Sequence, residues 1–329
     1  MRQLIVVEYG ARLRTSRNQV LIEKKNSEKY NIPIHELEQI IIASSGVSIS
    51  SKTVRKILEH GIDLVFLDSR GYPTGRIYPV YINKTVETRR KQYEIAVRGK
   101  GLDIAIEIVK AKILNQAGLL KRYYAYTRDQ ELRNAAEEVI KHASKISVEA
   151  PGSENPKTVI IKIEAEAART YWSSYAKLVP KHLGFNNRDQ DSLDPVNTSL
   201  NYLYGILYSE SWKALVLAGL DPYLGYLHAD RSGNPTLVFD YIEQFRFIAD
   251  MTLLSMLRHG WTPKIVNGLL DYESRRKLIT SLNTTLDETK TKYLGEAPIS
   301  LRQVIKRNAF NLAAAVRGET AFKSYVHSW

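Results

Sequence analysis

Cysteine is absent from this chain of 329 residues, which excludes disulfides, thiolate zinc sites and a cysteine nucleophile. No apolar run approaches the ~20 residues that a membrane-spanning helix needs. The apolar run at residues 4–7 is short and is followed by Glu8, so we expect no secretory signal. P-loop, GxGxxG and HExxH motifs are absent as well. These absences predict a cytoplasmic, soluble protein without membrane contact.

The balance of charge is strongly positive. Lys and Arg number 47 against 35 Asp and Glu, which gives a formal net charge of +12 and an isoelectric point near 9.5. Such a balance favours a polyanionic partner. The basic residues are concentrated in residues 81–128 and 251–329, and the 20 tyrosines suit base stacking as well as core packing. A basic surface without such a partner is the alternative.

The pattern of apolar residues changes near residue 80. Before it, short β-branched runs predict strands at residues 4–7, 19–23, 39–43 and 62–67. After it, helical spacing predicts helices at residues 102–126, 157–178 and 195–218, and short helical stretches after His259. We therefore predict the α+β class. Its parts are a β-rich scaffold or dimerisation domain (1–80), a linker or hinge (81–101) and an α-helical domain (102–329).

Two acidic residues and one histidine lie near residue 240. A helix that begins near residue 235 is predicted, because apolar residues recur there at spacings of three and four. Asp240 and Glu243 are three residues apart, so they share one face of this helix, and His228 lies on the preceding loop. Adjacent carboxylates repel each other unless a cation lies between them. A divalent metal with His228 as its nitrogen ligand is one interpretation. The other is a polar face on which Arg246 pairs with the acids.

Glu164 lies in the sequence IEAEAARTY, inside the predicted helix at residues 157–178. Its neighbours on the same helical face are apolar or small: Ile160, Ile161, Ala167, Ala168 and Tyr171. A carboxylate on such a face needs a cation, because burying it unpaired costs several kcal/mol. No Lys or Arg is spaced along this helix to supply one, so a metal ion or a distant Arg is required. Glu166 has Lys162 and Arg169 beside it and is predicted on the outer face.

Four motifs in order resemble a known family. They are IEAEAARTY (163–171), Arg188 followed by DPVNTSLNYLY (194–204), GLDPYLGYLH (219–228) and LVFDYIEQFR (237–246). Their order and spacing resemble the CRISPR-associated integrase of spacer acquisition, a metal-dependent DNA endonuclease. Each motif alone is weak, whereas four in sequence are specific, and the resemblance covers nearly the whole chain.

The resemblance implies a fold and a site. The fold is a small N-terminal β-sandwich-like domain, through which the protein forms a homodimer, followed by a larger, almost all-α catalytic domain. Glu164, His228 and Glu243 are then the ligands of one Mg²⁺ or Mn²⁺ ion, with Asp240 as a nearby catalytic residue. The chain has Ala165 and Glu243 where many members have Gly and Asp. We expect little effect from either difference, since Ala is small and Glu still supplies carboxylate oxygens.

The resemblance also implies a reaction and partners. A 3′ hydroxyl of a captured foreign DNA fragment attacks a repeat boundary, which inserts the fragment as a new spacer in a CRISPR array. Arg188, Arg246, Tyr171 and Tyr204 lie in or near the motifs and are weaker candidates for DNA contact. A small CRISPR-associated partner protein is expected to bridge two dimers. A non-catalytic nucleic-acid-binding scaffold and a metal-dependent repair nuclease are the alternative functions.

Overall fold

The computed structural model describes residues 2–24, 29–79, 85–150, 153–228, 233–295 and 297–329. Within these residues the N-terminal part is built from strands and the remainder almost entirely from helices. The predicted α+β class is thereby confirmed. None of the helices in the described ranges is both long enough and apolar enough to cross a membrane.

The N-terminal domain is a sandwich of two four-stranded sheets. Its elements are β1 (Arg2–Val6), β2 (Arg12–Ser16), β3 (Gln19–Glu23), β4 (Lys29–Pro33), β5 (Leu37–Ile42), β6 (Ser48–Ile49), α1 (Ser51–Glu59), β7 (Asp63–Leu67) and β8 (Pro73–Ile77). One sheet has the order β1-β5-β7-β8, and the other has the order β4-β3-β2-β6. Side chains such as Leu13, Val20 and Ile40 fill the space between the sheets. The predicted β-sandwich-like domain is therefore present.

The sheet β1-β5-β7-β8 is buried on both faces. Ile40 and Ile42 of β5 pack into the core between the sheets, whereas Ile41 packs against the helices that follow. β1, β5 and β7 run parallel. A strand covered on both sides has no solvent face, which explains the continuous apolar run at residues 40–43. This sheet therefore joins the N-terminal domain to the helical part.

Nine helices follow in the described part of the chain. They are α2 (Thr85–Val97), α3 (Leu102–Thr127), α4 (Gln130–Glu149), α5 (Pro156–Leu178), α6 (Pro195–Leu217), α7 (Thr236–Ile242), α8 (Arg246–Arg258), α9 (Tyr272–Glu288) and α10 (Leu301–Arg317). Two short strand pairs accompany them: β9 (Ile265–Val266) with β10 (Leu269–Leu270), and β11 (Lys290–Thr291) with β12 (Ile299–Ser300). Short 3₁₀ turns lie at Ile34–Glu36, Lys181–Leu183 and Glu243–Phe245.

Two parts of the helical region differ from the prediction. Residues 85–97 of the predicted linker form α2, whose buried Gln92 donates hydrogen bonds to the carbonyl oxygens of Asp221 and Leu224, both at 2.9 Å. Residues 81–84 of that linker lie outside the described residues. The short helical stretches predicted after His259 are instead dominated by α9 and α10, each 17 residues long.

The ends of the helices around the motifs follow local sequence only in part. Asp194 caps α6 as its sequence indicates, with its Oδ1 accepting from the N–H groups of Val196 and Asn197 at 2.9 Å. The similar pair Asn234 and Pro235 does not supply such a cap, because α7 begins at Thr236 without a side-chain hydrogen bond. The start of α7 is instead fixed by tertiary contacts, which bring its acidic residue to the preceding loop.

Candidate metal centre

Two carboxylates and one ammonium group meet between α3, α5 and the turn that follows α7. Lys112 lies on α3, Glu164 on α5, and Glu243 begins the 3₁₀ turn. Lys112 Nζ donates a hydrogen bond to Glu164 Oε1 and lies 2.5 Å from Glu243 Oε2. The side chains of Lys112, Glu164 and Glu243 are 14%, 19% and 6% exposed. One ammonium group therefore bridges both carboxylates in a largely buried site.

The opposite charges of this site offset the energetic cost of burying each of them. Burial by itself lowers the pKa of Lys112, but the neighbouring Glu164 and Glu243 outweigh it, so the pKa is raised. Burial by itself raises the pKa of Glu243, but Arg246 and Lys112 outweigh it, so the pKa is lowered. Arg246 Nε lies 2.9 Å from Glu243 Oε1, so each oxygen of Glu243 faces a cation. These contacts favour the charged forms of Lys112 and Glu243.

The segment that carries Asp240 and Glu243 is not the single helix that the sequence predicted. The 3₁₀ turn separates α7 from α8 and directs the two carboxylates to different partners. Glu243 faces Lys112, whereas Asp240 faces the loop that ends at His228. Asp240 and Glu243 therefore face different partners, and Glu164 rather than Asp240 lies with Glu243 at Lys112.

Asp240 is fully buried and organises the loop that carries His228. Its carboxylate accepts hydrogen bonds from the backbone N–H groups of Tyr226, Leu227 and His228 at 2.6, 2.9 and 3.1 Å. His228 Nδ1 lies 2.5 Å from Asp240 Oδ1. All four hydrogen bonds of this carboxylate go to the loop that carries His228. Asp240 therefore acts by orienting the histidine. Residues 229–232, which follow His228, lie outside the described residues.

His228 is the most exposed member of the site, with 43% of its side chain accessible. The hydrogen bond to Asp240 raises the pKa of His228; burial opposes this shift, and the charges of Asp240, Glu243 and Glu164 add to it. Because Asp240 holds Nδ1, the nitrogen left to bind another group is Nε2. Nε2 is therefore the ring nitrogen of His228 that Asp240 does not hold.

The donor set suits a hard divalent cation. Two carboxylates and one imidazole nitrogen are ligands that Mg²⁺ and especially Mn²⁺ accept. The buried Oε2 of Glu243 lies 2.5 Å from the ammonium of Lys112. As the side chains stand, no three His, Asp or Glu residues of the described ranges are grouped closely enough to hold a metal. The ammonium of Lys112 lies between the two carboxylates.

Two arginines predicted to contact DNA lie at the edge of this site. Arg246 Cζ lies 4.7 Å from the ring centroid of Tyr204, and Arg188 Cζ lies 5.5 Å from it. Arg188 also donates hydrogen bonds to Asn197 Oδ1 at 2.9 Å and to Asn201 Oδ1. About a third of the Arg246 side chain, 31%, is exposed. The arrangement holds both guanidinium groups near the acidic site, and their contact with DNA stays a prediction.

Two tyrosines predicted as DNA contacts are instead part of the interior. Tyr171 and Tyr204 are 0% and 7% exposed, and their hydroxyl groups donate to the two oxygens of Asp250 at 2.8 and 2.5 Å. The hydroxyl of Tyr175 donates to the carbonyl oxygen of Asp250 at 3.0 Å. Buried rings cannot stack on bases, so the predicted role of Tyr171 and Tyr204 is corrected. Their hydroxyl groups satisfy the hydrogen-bonding oxygens of the buried Asp250 carboxyl group behind the site.

The C-terminal segment after α10 packs against the same part of α3. Asn115, one turn beyond Lys112, donates 2.9 Å hydrogen bonds to the carbonyl oxygens of Gln244 and Tyr325. Asn115 also accepts from the N–H of His327 at 2.7 Å, and Gln244 Oε1 accepts from the N–H of Tyr325 at 2.8 Å. These bonds fix α3 against the 3₁₀ turn, and thereby fix Lys112 relative to Glu243.

Lys112 is the residue of this site whose role the sequence analysis missed. Lys112 was counted only among the basic residues of segment 81–128. Its neighbours at three and four positions before it, Val109 and Ile108, are apolar, so it lies on an inward face. The argument that singled out Glu164 applies equally to this lysine. A buried cation and a buried anion on two helices are each other's expected partners.

Fold and site together define a class of protein: a β-sandwich domain followed by a helical domain whose helices carry a buried acidic site beside a histidine. The sequence profile described as CRISPR associated protein Cas1 matches residues 4–284. The chain belongs to this family.

Curated relatives match the chain over nearly its whole length. "CRISPR-associated endonuclease Cas1 2" of Saccharolobus solfataricus is 35% identical over 326 residues, which are 99% of this chain and 98% of that protein. "CRISPR-associated endonuclease Cas1" of Hyperthermus butylicus is 37% identical over 327 residues, which are 98% of each chain. The family assignment therefore rests on the whole chain rather than on isolated motifs.

Solved structures share the fold at lower identity. A casposase bound to integration product superposes with a TM-score of 0.86 at 22% identity, over 98% of this chain and 93% of that one. A Cas6-RT-Cas1–Cas2 complex gives a TM-score of 0.78 at 19% identity, over 100% of this chain and 36% of that one. Both comparisons support the two-domain architecture.

Proposed function

We propose that the protein is a divalent-metal-dependent DNA endonuclease and integrase that inserts captured DNA fragments into a CRISPR array. The observation that carries the proposal is the convergence of Glu164 and Glu243 on a single cation, beside a histidine held by Asp240. Membership of the Cas1 family, whose curated relatives are named endonucleases, supports it. So does the fold, which a casposase bound to integration product shares.

Glu164, His228 and Glu243 are the proposed ligands of one Mg²⁺ or Mn²⁺ ion. A bound ion would polarise the scissile phosphate and stabilise the negative charge on the leaving 3′ oxygen. Asp240 holds Nδ1 of His228 and so leaves Nε2 as the nitrogen that would bind the ion. Arg246, paired with Glu243 and partly exposed, lies where it can bind a phosphate oxygen as well.

The proposed reaction is a transesterification. The 3′ hydroxyl oxygen of the incoming DNA forms a new bond to phosphorus, and the bond from that phosphorus to the 3′ oxygen of the array strand breaks. The hydroxyl proton leaves the attacking oxygen, and the released 3′ oxygen gains one, so the number of phosphodiester bonds is unchanged. Water in place of the incoming hydroxyl gives hydrolysis, which is the endonuclease activity.

Alanine substitution of each proposed ligand tests the site. We expect Glu164→Ala, His228→Ala and Glu243→Ala to reduce both cleavage and joining by at least about a hundredfold, because each removes a ligand of the ion. The assays are nicking of supercoiled plasmid with Mn²⁺, with and without EDTA, and joining of a labelled 3′-OH oligonucleotide to a repeat-containing plasmid. Glu166→Ala is the matched control: it lies on α5 two residues from Glu164 but faces His142, at 3.7 Å.

The two assays separate the competing functions. Cleavage that depends on Mn²⁺ without any strand joining indicates a metal-dependent repair nuclease. DNA binding without either reaction indicates a non-catalytic scaffold. Unchanged metal-dependent activity in all three ligand variants would contradict the assignment of the site.

DNA is the proposed polyanionic partner, and the net charge of +12 supports this proposal. Binding should weaken steeply with salt, because each phosphate neutralised by Lys or Arg releases counterions. Fluorescence anisotropy of a labelled duplex between 50 and 200 mM KCl, a range over which several phosphate contacts cost roughly a thousandfold in affinity, measures the slope. A flat dependence on salt would contradict a charged DNA-binding surface.

We also propose a homodimer formed through residues 1–80 and a small CRISPR-associated partner that bridges two dimers. The family resemblance supports both, and a structural neighbour is described as a Cas1–Cas2 complex. Light scattering on the purified chain gives the oligomeric state directly. A monomer at micromolar concentration would contradict the proposed dimer without affecting the site.

A further inference from the structure

We infer that Lys112 is a built-in counter-ion of the metal site: its ammonium group holds Glu164 and Glu243 together while no divalent ion is bound, and leaves when one binds. The inference rests on the proposed function, because it takes these two carboxylates as ligands of a metal. Metal binding is then an exchange of one cation for another rather than the filling of an open site.

The contacts of Lys112 are those of a shared cation. Its Nζ bonds Glu164 on one side and lies 2.5 Å from Glu243 Oε2 on the other, so it bridges residues from two different elements. The side chain is only 14% exposed, and the carboxylates it bridges are nearly as buried. The ammonium charge is therefore one of the charges that offset the burial of Glu243.

The ammonium group and a divalent ion cannot occupy this site together. Carboxylate oxygens bind Mg²⁺ or Mn²⁺ at about 2.0–2.2 Å, which places the ion in the space that Nζ fills. Two cations so close in a buried site also repel each other strongly. The affinity for the ion is therefore reduced by the free energy needed to move Lys112 away, and removing the ammonium charge should remove this cost.

Lysine suits such an exchange better than arginine does. Its charge is a compact point on a flexible four-carbon stem, whereas a guanidinium group binds carboxylates through a rigid fork. The stem can swing without moving α3, which the hydrogen bonds of Asn115 to Gln244 and Tyr325 hold in place. Arg246 meanwhile keeps its contact with the other oxygen of Glu243, so the carboxylate stays oriented during the exchange.

Titration of Mn²⁺ into the metal-free protein, followed by the electron paramagnetic resonance signal of free Mn²⁺, tests the inference without any assay of activity. We expect Lys112→Met to lower the Kd for Mn²⁺ at least roughly tenfold, since tenfold needs only 1.4 kcal/mol from the lost repulsion. Lys112→Arg keeps the charge and binds carboxylates through a rigid fork, so it should bind Mn²⁺ no more tightly than the unsubstituted protein. Lys110→Met is the matched control, because Lys110 is on the same helix but pairs with Glu107 at 3.0 Å.

Thermal melting gives a second readout. Lys112→Met leaves two buried carboxylates without their shared cation, so we expect a lower Tm than the unsubstituted protein without metal and a larger rise on adding Mn²⁺. Lys112→Gln, which keeps a polar end in the site, repeats both measurements if the methionine variant does not fold. Its expected shifts have the same directions.

Two results would overturn the inference: one leaves the proposed metal site standing, and the other contradicts it as well. If Lys112→Met binds Mn²⁺ no more tightly than the unsubstituted protein, while Glu164→Gln abolishes binding in both backgrounds, the counter-ion role fails and the metal site stands. If no variant binds Mn²⁺, the metal-dependent function fails along with the role of Lys112.

Discussion

Buried carboxylates are neutralised differently in two regions of the molecule. Between the N-terminal sheet and the helices, Glu210 of α6 accepts from Gln3 of β1 and lies 3.0 Å from Arg302 Nη1 of α10. Arg302 also bonds Asp287 at 2.6 Å and Asn283 at 2.8 Å, so its guanidinium is held by several partners. In the candidate metal centre, by contrast, a single lysine serves two carboxylates.

The difference separates a structural ion pair from an exchangeable one. A guanidinium with several fixed partners is costly to displace, because every bond must break at once. A lysine that bridges two acids gives up fewer directional bonds when another cation takes its place. Both regions satisfy the requirement that buried charge be paired, but only the second can release its cation without loss of the fold.

The largest effect is expected at the structural pair. Arg302→Met leaves Glu210, 5% exposed, without its guanidinium, so we expect a loss of about 3–5 kcal/mol in the free energy of unfolding. Urea denaturation followed by circular dichroism measures it. Arg276→Met, on an exposed side chain of α9, is the control and should change stability little. A small loss in Arg302→Met would remove the distinction between the two regions.

Asp250 is a third kind of buried carboxyl group, because its main partners are tyrosine hydroxyls. The pH dependence of stability distinguishes it from the other two. Burial raises the pKa of Asp250 to about 6, although Tyr204, Tyr171 and Arg246 oppose the shift. The folded chain thus holds this proton more tightly than the unfolded chain, whose pKa is about 3.9. Its contribution to stability is therefore full below about pH 4 and is lost as the pH rises through about 6.

Asp250→Asn cannot titrate, which isolates this contribution. Relative to the unsubstituted protein, we expect its free energy of unfolding to improve by about 3 kcal/mol between pH 4 and pH 7. Urea denaturation at unit steps of pH measures the trend. Asp271→Asn at the cap of α9 should not show it, because the hydrogen bond with Ser274 lowers the pKa of Asp271. A difference independent of pH would contradict the raised pKa of Asp250.

The smallest effect concerns the arginine of the site itself. Arg246→Lys keeps the charge beside Glu243 but loses the stacking on Tyr204, where the guanidinium carbon lies 4.7 Å from the ring centroid. We expect a loss of about 1 kcal/mol in the free energy of unfolding. Chemical denaturation of Arg246→Lys and Arg302→Met under the same conditions gives the ratio of their losses in the free energy of unfolding. Equal losses in the two variants would show that Arg246 is held as rigidly as Arg302.

The sequence indicated those parts of the fold that local patterns determine. The apolar run at residues 40–43 is a strand buried on both faces, and the helix at α6 begins at its capping Asp194. In the N-terminal domain, strands β2, β4, β6 and β8 were missed: β4 and β8 are edge strands with polar or proline-containing sequences, β2 has one apolar residue, Leu13, and β6 has two residues. Their assignment depends on pairing partners that local sequence does not show.

The candidate site was accessible to sequence reasoning only in part. Glu164 stood out because apolar neighbours surround a charge, whereas Lys112, 52 positions earlier, was read as part of a basic surface. No Gly or Pro in the sequence marks the break between α7 and α8. Gln244 inside that break is bonded by Asn115 and Tyr325, so contacts from distant parts of the chain accompany the turn. Such contacts cannot be inferred from local pattern alone.

The hydrogen bonds of Asn115 have a consequence for the order in which the protein matures. They join a residue in the first half of the chain to Gln244 and to Tyr325, 129 and 210 positions later. A nascent chain that has reached α10 already contains every acid of the site, but it lacks the segment that closes α3 against the 3₁₀ turn. We expect the site to gain its geometry only when residues 325–327 have left the ribosome, which pulse proteolysis of stalled chains can detect.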